Sequence, residues 1–309
     1  MKIINKNKYS EKAETRKVRE QIAEELIDQV IYDEYRHFDL HLDGDGVRAE
    51  NRETPTYLTK HRHEYVRTIC DVLEFLERTN GKRILEVGAF FGLVSLVLAR
   101  LGYEVCASDI PEYMKMKEQI ERFGRSNVRM ASVRLQDYIL PFEDGEFDVI
   151  IMCEVLEHLN FNPLPLLKEI NRIGAQDSLF YLSLPNLAYY KKRLAFLFGR
   201  SVFDPIDAYF SQLDPDSLCI VNGHWREYTG AEIKEMLTRL GYTIGYKSHY
   251  YFSIVDVKKN ITLRNRLTKL VFAIFPSFKE NQTTLAIRSK RTDIKFAIPN
   301  TVHPTIESL

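Results

Sequence analysis

Two acidic residues around a glycine-bearing turn form the pattern in this chain that is most typical of a ligand site. The apolar run 83–87 contains Glu86 and is followed by Gly88 and Gly92, and a second apolar run ends at Asp109. Glycines in a turn that opens a helix let the backbone approach a ligand closely, and a carboxylate that ends the second strand can accept hydrogen bonds from both ribose hydroxyls. The pattern predicts a βαβ unit that binds a nucleoside-containing cofactor.

The spacing of the glycines disfavours a dinucleotide. A dinucleotide site has the form G-x-G-x-x-G, in which helix amides cradle a pyrophosphate. Here the turn has the form E-x-G-x-x-x-G, and Glu86 would place an anion beside that phosphate. A cationic or amino-acid-bearing ligand suits this turn better. A plain turn in some other doubly wound protein is the alternative on this motif alone.

The turn resembles motif I of class I methyltransferases that depend on S-adenosylmethionine (SAM), although Phe90 replaces the central glycine of [D/E]-x-G-x-G-x-G. Three later segments resemble the same family, in the same order. They are LPFEDGEFDVIIMCEVLEHL at 140–159, LFYLSLPN at 179–186 and HWREYT at 224–229. The resemblance covers about residues 60 to 290 and is to the ubiquinone-biosynthesis-like O-methyltransferases and their methyltransferase type 11 and 23 relatives.

The order of apolar runs and amphipathic stretches predicts an α/β fold, because strands and helices alternate. The resemblance implies a Rossmann-like sheet of seven mostly parallel strands, with the last strand antiparallel. We expect a helical extension over 1–80, a methyltransferase domain over 81–290 with an insert at 187–223, and a tail over 291–309. The predicted strands lie near 83–87, 104–109, 127–133, 147–153, 178–183, 242–255 and 283–288. The predicted core helices lie near 91–101, 112–123, 162–173, 230–240 and 261–275. Two helical stretches are predicted before them: a charged one at 10–38, and a second at 57–78 that is expected to cover the cofactor.

Ligands of open α/β sheets bind at the carboxyl ends of the strands, where several acids of this chain lie. The resemblance implies that Glu86 lies near the methionine end of SAM, Asp109 binds the ribose, Ile110 packs on the adenine and Asp137 accepts from its amino group. The alternative is that Asp137 is an ordinary turn residue that does not bind the cofactor. The full set of expected cofactor residues is Glu86, Gly88, Ala89, Gly92, Asp109, Ile110, Asp137 and Cys153.

Methyl transfer to a hydroxyl needs an aligned acceptor and usually a base that removes its proton. His158 is the first candidate base, since an imidazole titrates near neutral pH; His224 and Glu154 are further catalytic candidates. The alternative is that His158 only packs against its neighbours and takes no part in catalysis. Glu154, Glu157, His158 and His224 form a second hypothesis, in which they bind a divalent cation, Mg²⁺ or Mn²⁺, that orients the acceptor.

The composition is that of an ordinary globular protein with 309 residues, 45% hydrophobic content and no net charge. A neutral chain disfavours nucleic acid as a partner. Cys70, Cys106, Cys153 and Cys219 form no C-x-x-C pair, which disfavours a zinc site and favours a reducing compartment. The polar N-terminus predicts no signal peptide, and no apolar run reaches transmembrane length. We therefore expect a cytoplasmic protein.

The acceptor is less constrained than the cofactor. The insert at 187–223 is rich in aromatic residues, and 261–275 predicts a basic amphipathic helix. These features favour a hydroxyl of a small molecule, a sugar or a lipid-linked glycan, with peripheral membrane contact through 261–275 as one interpretation and core packing as the other. An RNA 2′-O-methyltransferase and a non-catalytic SAM-binding protein, to which Phe90 points, are the alternatives. The oligomeric state is left open.

Overall fold

The computed structural model of the chain describes residues 13–34, 56–212, 223–250 and 270–296. Its central feature is a sheet of seven strands in the order β3-β2-β1-β4-β5-β7-β6. The strands are β1 (Arg83–Val87), β2 (Glu104–Asp109), β3 (Arg129–Ser132), β4 (Phe147–Cys153), β5 (Gly174–Pro185), β6 (Tyr242–Tyr250) and β7 (Asn281–Arg288). The first five pair in parallel, and β7 runs antiparallel to both β5 and β6. The predicted Rossmann-like α/β fold is confirmed.

Helices cover both faces of this sheet. They are α1 (Ala13–Gln29, continued by a π-helical turn Val30–Glu34), α2 (Thr56–Thr79), α3 (Leu93–Arg100), α4 (Pro111–Met114), α5 (Lys117–Arg125), α6 (Leu164–Ile173), α7 (Tyr190–Leu197), α8 (Ile206–Gln212) and α9 (Gly230–Arg239). Alternate residues of the central strands enter opposite cores, so that Ile84 packs with the helices α1 to α3 and Leu85 with α6 and α9. Burial on both faces explains why these strands are continuous apolar runs.

The structure differs from the predicted elements in three places. The single helix expected at 112–123 is two helices, because Met116 is extended (φ −63°, ψ 131°) between α4 and α5. Strand β5 begins at Gly174 rather than near 178, and its first residues pair irregularly with β4. The insert at 187–223 contains α7 and α8. Residues 213–222, 251–255 and the first part of the stretch 261–275 lie outside the described residues.

The two N-terminal helices are attached to the sheet through α2. Ile69, Val72 and Leu76 of α2 are buried in the same core as Ile84 of β1. Ion pairs join α1 to α2; Arg62, for example, donates to both carboxylate oxygens of Asp28 at 2.7 and 3.0 Å. Helix α2 thereby forms a wall beside the carboxyl ends of the strands. Within the described ranges, none of the helices is both long and apolar enough to cross a bilayer.

Candidate functional site

A cavity of about 370 Å³ opens at the carboxyl ends of β1, β2 and β4. Most of the residues that the sequence predicted for the site line it. They are Glu86, Gly88, Ala89, Gly92, Asp109, Ile110, Cys153, Glu154 and His158. Glu157 and His224 are not part of the lining, although both lie close to His158. Asp137 does not line the cavity either; it is exposed, and Gln136 lies at the cavity wall instead.

The turn after β1 has a backbone that few residue types could adopt. Gly88 and Gly92 have φ values of +75° and +69°, in the left-handed region that favours glycine. A Cβ atom on Gly88 would collide with the side chain of Val155, and one on Gly92 would collide with the ring of Phe123. The two glycines are therefore required by the close packing of the turn as well as by its dihedral angles.

Phe90, which replaces the central glycine of the motif, is itself left-handed with φ +48°. Its amide N–H donates to Asp109 Oδ2 at 2.7 Å. Its ring lies against the cavity and packs against Phe91 and Tyr113, with centroids 4.0 and 5.0 Å away. The loop thus keeps the conformation that glycine would give it, at the cost of a left-handed phenylalanine held by Asp109 and by aromatic packing.

Asp109 at the end of β2 accepts two backbone hydrogen bonds, from Phe90 and from Ile110, each at 2.7 Å. Burial raises the pKa of this carboxyl to about 6 in spite of those bonds. Ile110, Val133 and Leu135 form the apolar wall next to it. A carboxylate beside an apolar slot matches the needs of a ribose and a flat base.

Glu86 of β1 also lines the cavity. One of its oxygens accepts from the backbone N–H of Ser95 at 2.9 Å and from the Ser95 hydroxyl, so that it caps the first turn of α3. Burial raises the pKa of Glu86 to about 7, and the bonds from Ser95 offset only part of that shift. An anion here is unfavourable in the ligand-free protein and becomes favourable when a cation binds.

His158 follows β4 and lies on the far side of β1 from Asp109. Its Nδ1 is 3.1 Å from the carbonyl oxygen of Gly223. Because a carbonyl only accepts, Nδ1 carries the proton and Nε2 presents a lone pair. Burial, together with the charge of His224, lowers the pKa of His158 to about 4. At neutral pH this ring is uncharged, and the Nε2 lone pair can accept a hydrogen bond or bind a cation.

His224 and Glu157 complete a cluster with His158. The two imidazole rings are 5.0 Å apart and nearly perpendicular, and His158 Nε2 lies 3.9 Å from Glu157 Oε1. Nδ1 of His224 donates to Glu227 at 2.8 Å. Burial lowers the pKa of His224, but Glu227, Glu157 and Asp204 outweigh it and raise that pKa above its usual value.

The cluster brings together three side chains of types that can ligate a metal ion. One ligand atom of each of Glu157, His158 and His224 lies within 4.8 Å of the others. Both carboxylate oxygens of Glu157 are buried and accept no hydrogen bond from the described part of the chain. Each histidine donates Nδ1–H to an oxygen, as metal-bound histidines do. Glu154, the fourth expected ligand, is not one of these three residues, but its side chain interacts with that of Glu157.

Sequence reasoning missed a polar network that joins α2 to the antiparallel strands. Glu64 Oε1 accepts from Asn281 at 2.7 Å and from the Tyr250 hydroxyl at 3.1 Å. The Tyr250 and Ser183 hydroxyls are 2.7 Å apart, and Ser183 donates to Glu154 at 3.3 Å. Burial, followed by the charges of Glu64 and Glu157, raises the pKa of Glu154 well above its usual value. A polar stripe at helical spacing on α2 was the available signal: His61, Glu64 and Thr68 all line the cavity.

Comparisons with known proteins bear on this site. A family model described as a methyltransferase domain matches residues 59–246. The ubiquinone biosynthesis O-methyltransferase of Xanthomonas campestris pv. campestris (strain B100) is 31% identical over 109 residues, which cover 34% of this chain and 44% of that protein. The protein of the same name from Xanthomonas euvesicatoria pv. vesicatoria (strain 85-10) is 32% identical over 115 residues, 36% of this chain and 44% of that one. The chain therefore matches less than half the length of these curated relatives.

Two solved structures are similar in fold. The magnesium protoporphyrin IX methyltransferase of Synechocystis PCC 6803 with bound SAH is 17% identical, with 85% of this chain and 97% of that chain covered and a TM-score of 0.49. A SAM-dependent methyltransferase from Archaeoglobus fulgidus is 15% identical, with 70% and 92% covered and a TM-score of 0.45. Because the family model matches well over half of the 309 residues, this chain belongs to the methyltransferase-domain family, in agreement with its resemblance to class I SAM-dependent methyltransferases.

Proposed function

We propose that this chain transfers the methyl group of SAM to a hydroxyl of a small-molecule, sugar or lipid-linked glycan acceptor. The observation that supports it most directly is the uncharged, Nε2-accepting imidazole of His158 in a cavity whose other side holds Asp109. Strand β1 lies between β2, which ends at Asp109, and β4, which precedes His158. A cofactor bound across the end of β1 would bring its reactive group toward His158.

In this proposal SAM lies along the glycine turn. Asp109 binds the ribose hydroxyls with the lone pairs that the two backbone amides leave open, and Ile110 packs on the adenine. Gly88 and Ala89 let the backbone approach the methionine portion, whose ammonium and sulfonium charges favour the ionised form of Glu86. Gln136 replaces Asp137 as the candidate partner of the adenine edge, since Gln136 lines the cavity.

The chemistry is an in-line displacement at the methyl carbon. The acceptor oxygen forms a bond to that carbon, the carbon–sulfur bond breaks, and the electron pair stays on sulfur in S-adenosylhomocysteine. The hydroxyl proton goes to Nε2 of His158, which is free to accept it because Nδ1–H is held by Gly223. A positioned base of this kind contributes about 10²–10⁴ to the rate.

A divalent cation fits the residues beside this base. Glu157, His158 and His224 would hold Mg²⁺ or Mn²⁺, since the two orphaned oxygens of Glu157 would gain a partner. The ion would act as a Lewis acid that lowers the pKa of an acceptor hydroxyl. Chelation separates the two roles of His158. If His158 binds a metal, EDTA should abolish methyl transfer, and added Mg²⁺ or Mn²⁺ should restore it. If His158 is a simple base, EDTA should leave the rate of methyl transfer unchanged.

The experiment compares wild type with His158→Ala in methyl transfer from labelled SAM onto cell-extract fractions. We expect the variant to lose about 10²–10⁴ of the rate on the fraction that wild type labels, while calorimetry shows unchanged SAM binding. His63→Ala, at an exposed histidine of α2 outside the cavity lining, is the matched control and should keep full rate. Near-normal turnover of His158→Ala would make His158 a packing residue.

Two other functions remain as alternatives, and the same assays separate them. An RNA 2′-O-methyltransferase would label RNA fractions in a manner that depends on salt, and the zero net charge of the chain weighs against it. A non-catalytic SAM-binding protein, for which Phe90 is the argument, would bind SAM in the calorimeter and label no fraction.

A further inference from the structure

Two side chains of α5 bind the backbone of the glycine turn. Gln119 Nε2 donates to the carbonyl oxygen of Phe90, and the guanidinium of Arg122 donates to the carbonyl oxygen of Phe91 at 2.7 Å. Arg122 also donates to Oε1 of Gln119, which leaves the amide nitrogen of Gln119 for Phe90. Gln119 and Arg122 are 0% and 1% exposed, and neither lines the cavity. Any effect of this pair on a bound cofactor is therefore exerted through the turn.

Phe90 is held at both of its backbone polar groups. Its N–H donates to Asp109 Oδ2 at 2.7 Å, and its carbonyl oxygen accepts from Gln119. The φ of Phe90, +48°, is disfavoured for a bulky residue, whereas the glycine that the motif usually has there adopts it readily. A preference of about tenfold for other backbone conformations corresponds to roughly 1.4 kcal/mol. Two hydrogen bonds offset a preference of that size.

The N-terminal extension supplies the carboxylate that faces Arg122. Glu34, the last residue of the π-helical turn that continues α1, has its Oε2 atom 3.9 Å from Nε of Arg122. Glu34 also forms an ion pair with Arg100 of α3. A guanidinium as deeply buried as that of Arg122 is costly unless it is hydrogen-bonded and close to an anion. Glu34 therefore stabilises the arginine that binds the turn.

We propose that Gln119 and Arg122 are positioning residues for the cofactor, and that Glu34 connects them to the N-terminal extension. They keep Phe90 in the left-handed conformation in which its amide reaches Asp109, the proposed ribose ligand. The turn is then already formed when SAM binds, so these three residues contribute to SAM affinity without contacting SAM. The inference rests on the SAM position given under the proposed function, but not on the identity of the acceptor or of the base.

The first test is calorimetric titration of SAM into wild type and Gln119→Met. Methionine has a similar length but cannot donate to the carbonyl oxygen of Phe90. Phe90 can then leave the left-handed region, and the apparent affinity falls in proportion to the fraction of molecules that keep the turn. We expect SAM binding to weaken by about tenfold, in line with the backbone preference of phenylalanine. Gln21→Met, at an exposed glutamine of α1, is the matched control and should bind SAM as wild type does.

A second background separates positioning from a general loss of stability. Glycine occupies the left-handed region about as readily as the right-handed one, so a turn with Phe90→Gly depends less on Gln119. Gln119→Met should therefore weaken SAM binding by less than about threefold in the Phe90→Gly background. A purely structural role of Gln119 would give the same loss of affinity in both backgrounds. Glu34→Gln, which removes the anion next to Arg122, should weaken SAM binding by about threefold when Phe90 is present.

Unchanged SAM affinity in folded Gln119→Met, or equal losses in the two backgrounds, would overturn the proposal. Unchanged affinity in Glu34→Gln would overturn the contribution of the N-terminal extension. Should Gln119→Met not fold, Arg122→Lys replaces it in both backgrounds, because lysine keeps the charge but lacks the fork that serves Gln119 and Phe91 together. Wild type that does not bind SAM would refute the proposed function along with this inference. Wild type that binds SAM and methylates an acceptor, with Gln119→Met equally good, would refute this inference alone.

Discussion

Replacing Glu86 with glutamine should remove a pH-dependent contribution to the stability of the ligand-free protein. Glu86 is 7% exposed and lies among apolar strands, with Ser95 as the donor to one of its oxygens. Burial raises its pKa from 4.5 to about 7 in the folded protein. A glutamine has nearly the same shape and keeps an oxygen that can accept from Ser95, but it never ionises.

The magnitude follows from the difference between the folded and unfolded pKa values. Because the folded pKa is the higher one, the folded state binds more protons than the unfolded state between about pH 4.5 and about pH 7. The contribution of Glu86 is therefore fully present below about pH 4.5 and is lost as the pH rises through about 7. With roughly 1.4 kcal/mol for each pKa unit, the loss at pH 8 is on the order of 3 kcal/mol.

Urea unfolding of wild type and Glu86→Gln from about pH 4 to about pH 8 measures this difference. The free energy of unfolding of the variant, minus that of wild type, should rise by on the order of 3 kcal/mol over this range. Asp109 and Glu157 titrate in both proteins, so the subtraction isolates Glu86. Glu104→Gln, at an exposed glutamate that begins β2, is the control and should track wild type. Parallel curves for Glu86→Gln and wild type would refute the assignment of a buried, proton-binding carboxyl.

Two further predictions concern the glycine turn. Asp109→Ala should weaken SAM binding by on the order of 1–3 kcal/mol in calorimetry, because the ribose loses a carboxylate and the amide of Phe90 loses its acceptor; an unchanged dissociation constant in a folded variant would remove Asp109 from the site. Phe90→Gly should change SAM affinity by less than about threefold and lower the melting temperature, since the ring packing against Phe91 and Tyr113 outweighs relief of the left-handed φ. A tenfold or larger gain in affinity would show instead that the Phe90 ring obstructs the cavity.

The sheet and the glycine turn were predictable because their determinants are local in sequence. The parallel strands β1, β2, β4 and β5 each contain a run of buried, mostly apolar residues, and burial on both faces demands that pattern. Gly88 and Gly92 lie in the turn that their spacing predicted, and both have left-handed φ values. The break in the helix at 112–123 was less accessible, since apolar residues such as Ile120 and Phe123 continue at helical spacing across the extended Met116.

The parts of the site that depend on distant residues could not be predicted in the same way. Glu64 meets Tyr250 and Asn281, which are 186 and 217 residues away in sequence. Their contact requires the antiparallel insertion of β7 between β5 and β6, which apolar periodicity does not specify. The choice between Gln136 and Asp137 at the cavity wall likewise depends on the orientation of one short 3₁₀ turn. No sequence signal distinguishes two adjacent polar residues there.

Helix α2, which forms one wall of the cavity, is held to the sheet by buried polar contacts. These contacts bear on which part of the cavity wall accommodates the acceptor. Glu64 holds α2 to β6 and β7, and the guanidinium of Arg67 stacks 4.5 Å from the ring of Tyr250. On the other side of the cavity, Trp225 is 46% exposed and rests against Tyr209 of the insert. A change in the conformation of Trp225 or of the insert would break fewer buried contacts than a movement of α2 would. We therefore expect Trp225 and the insert, rather than α2, to be the part of the wall that adapts to acceptors of different size.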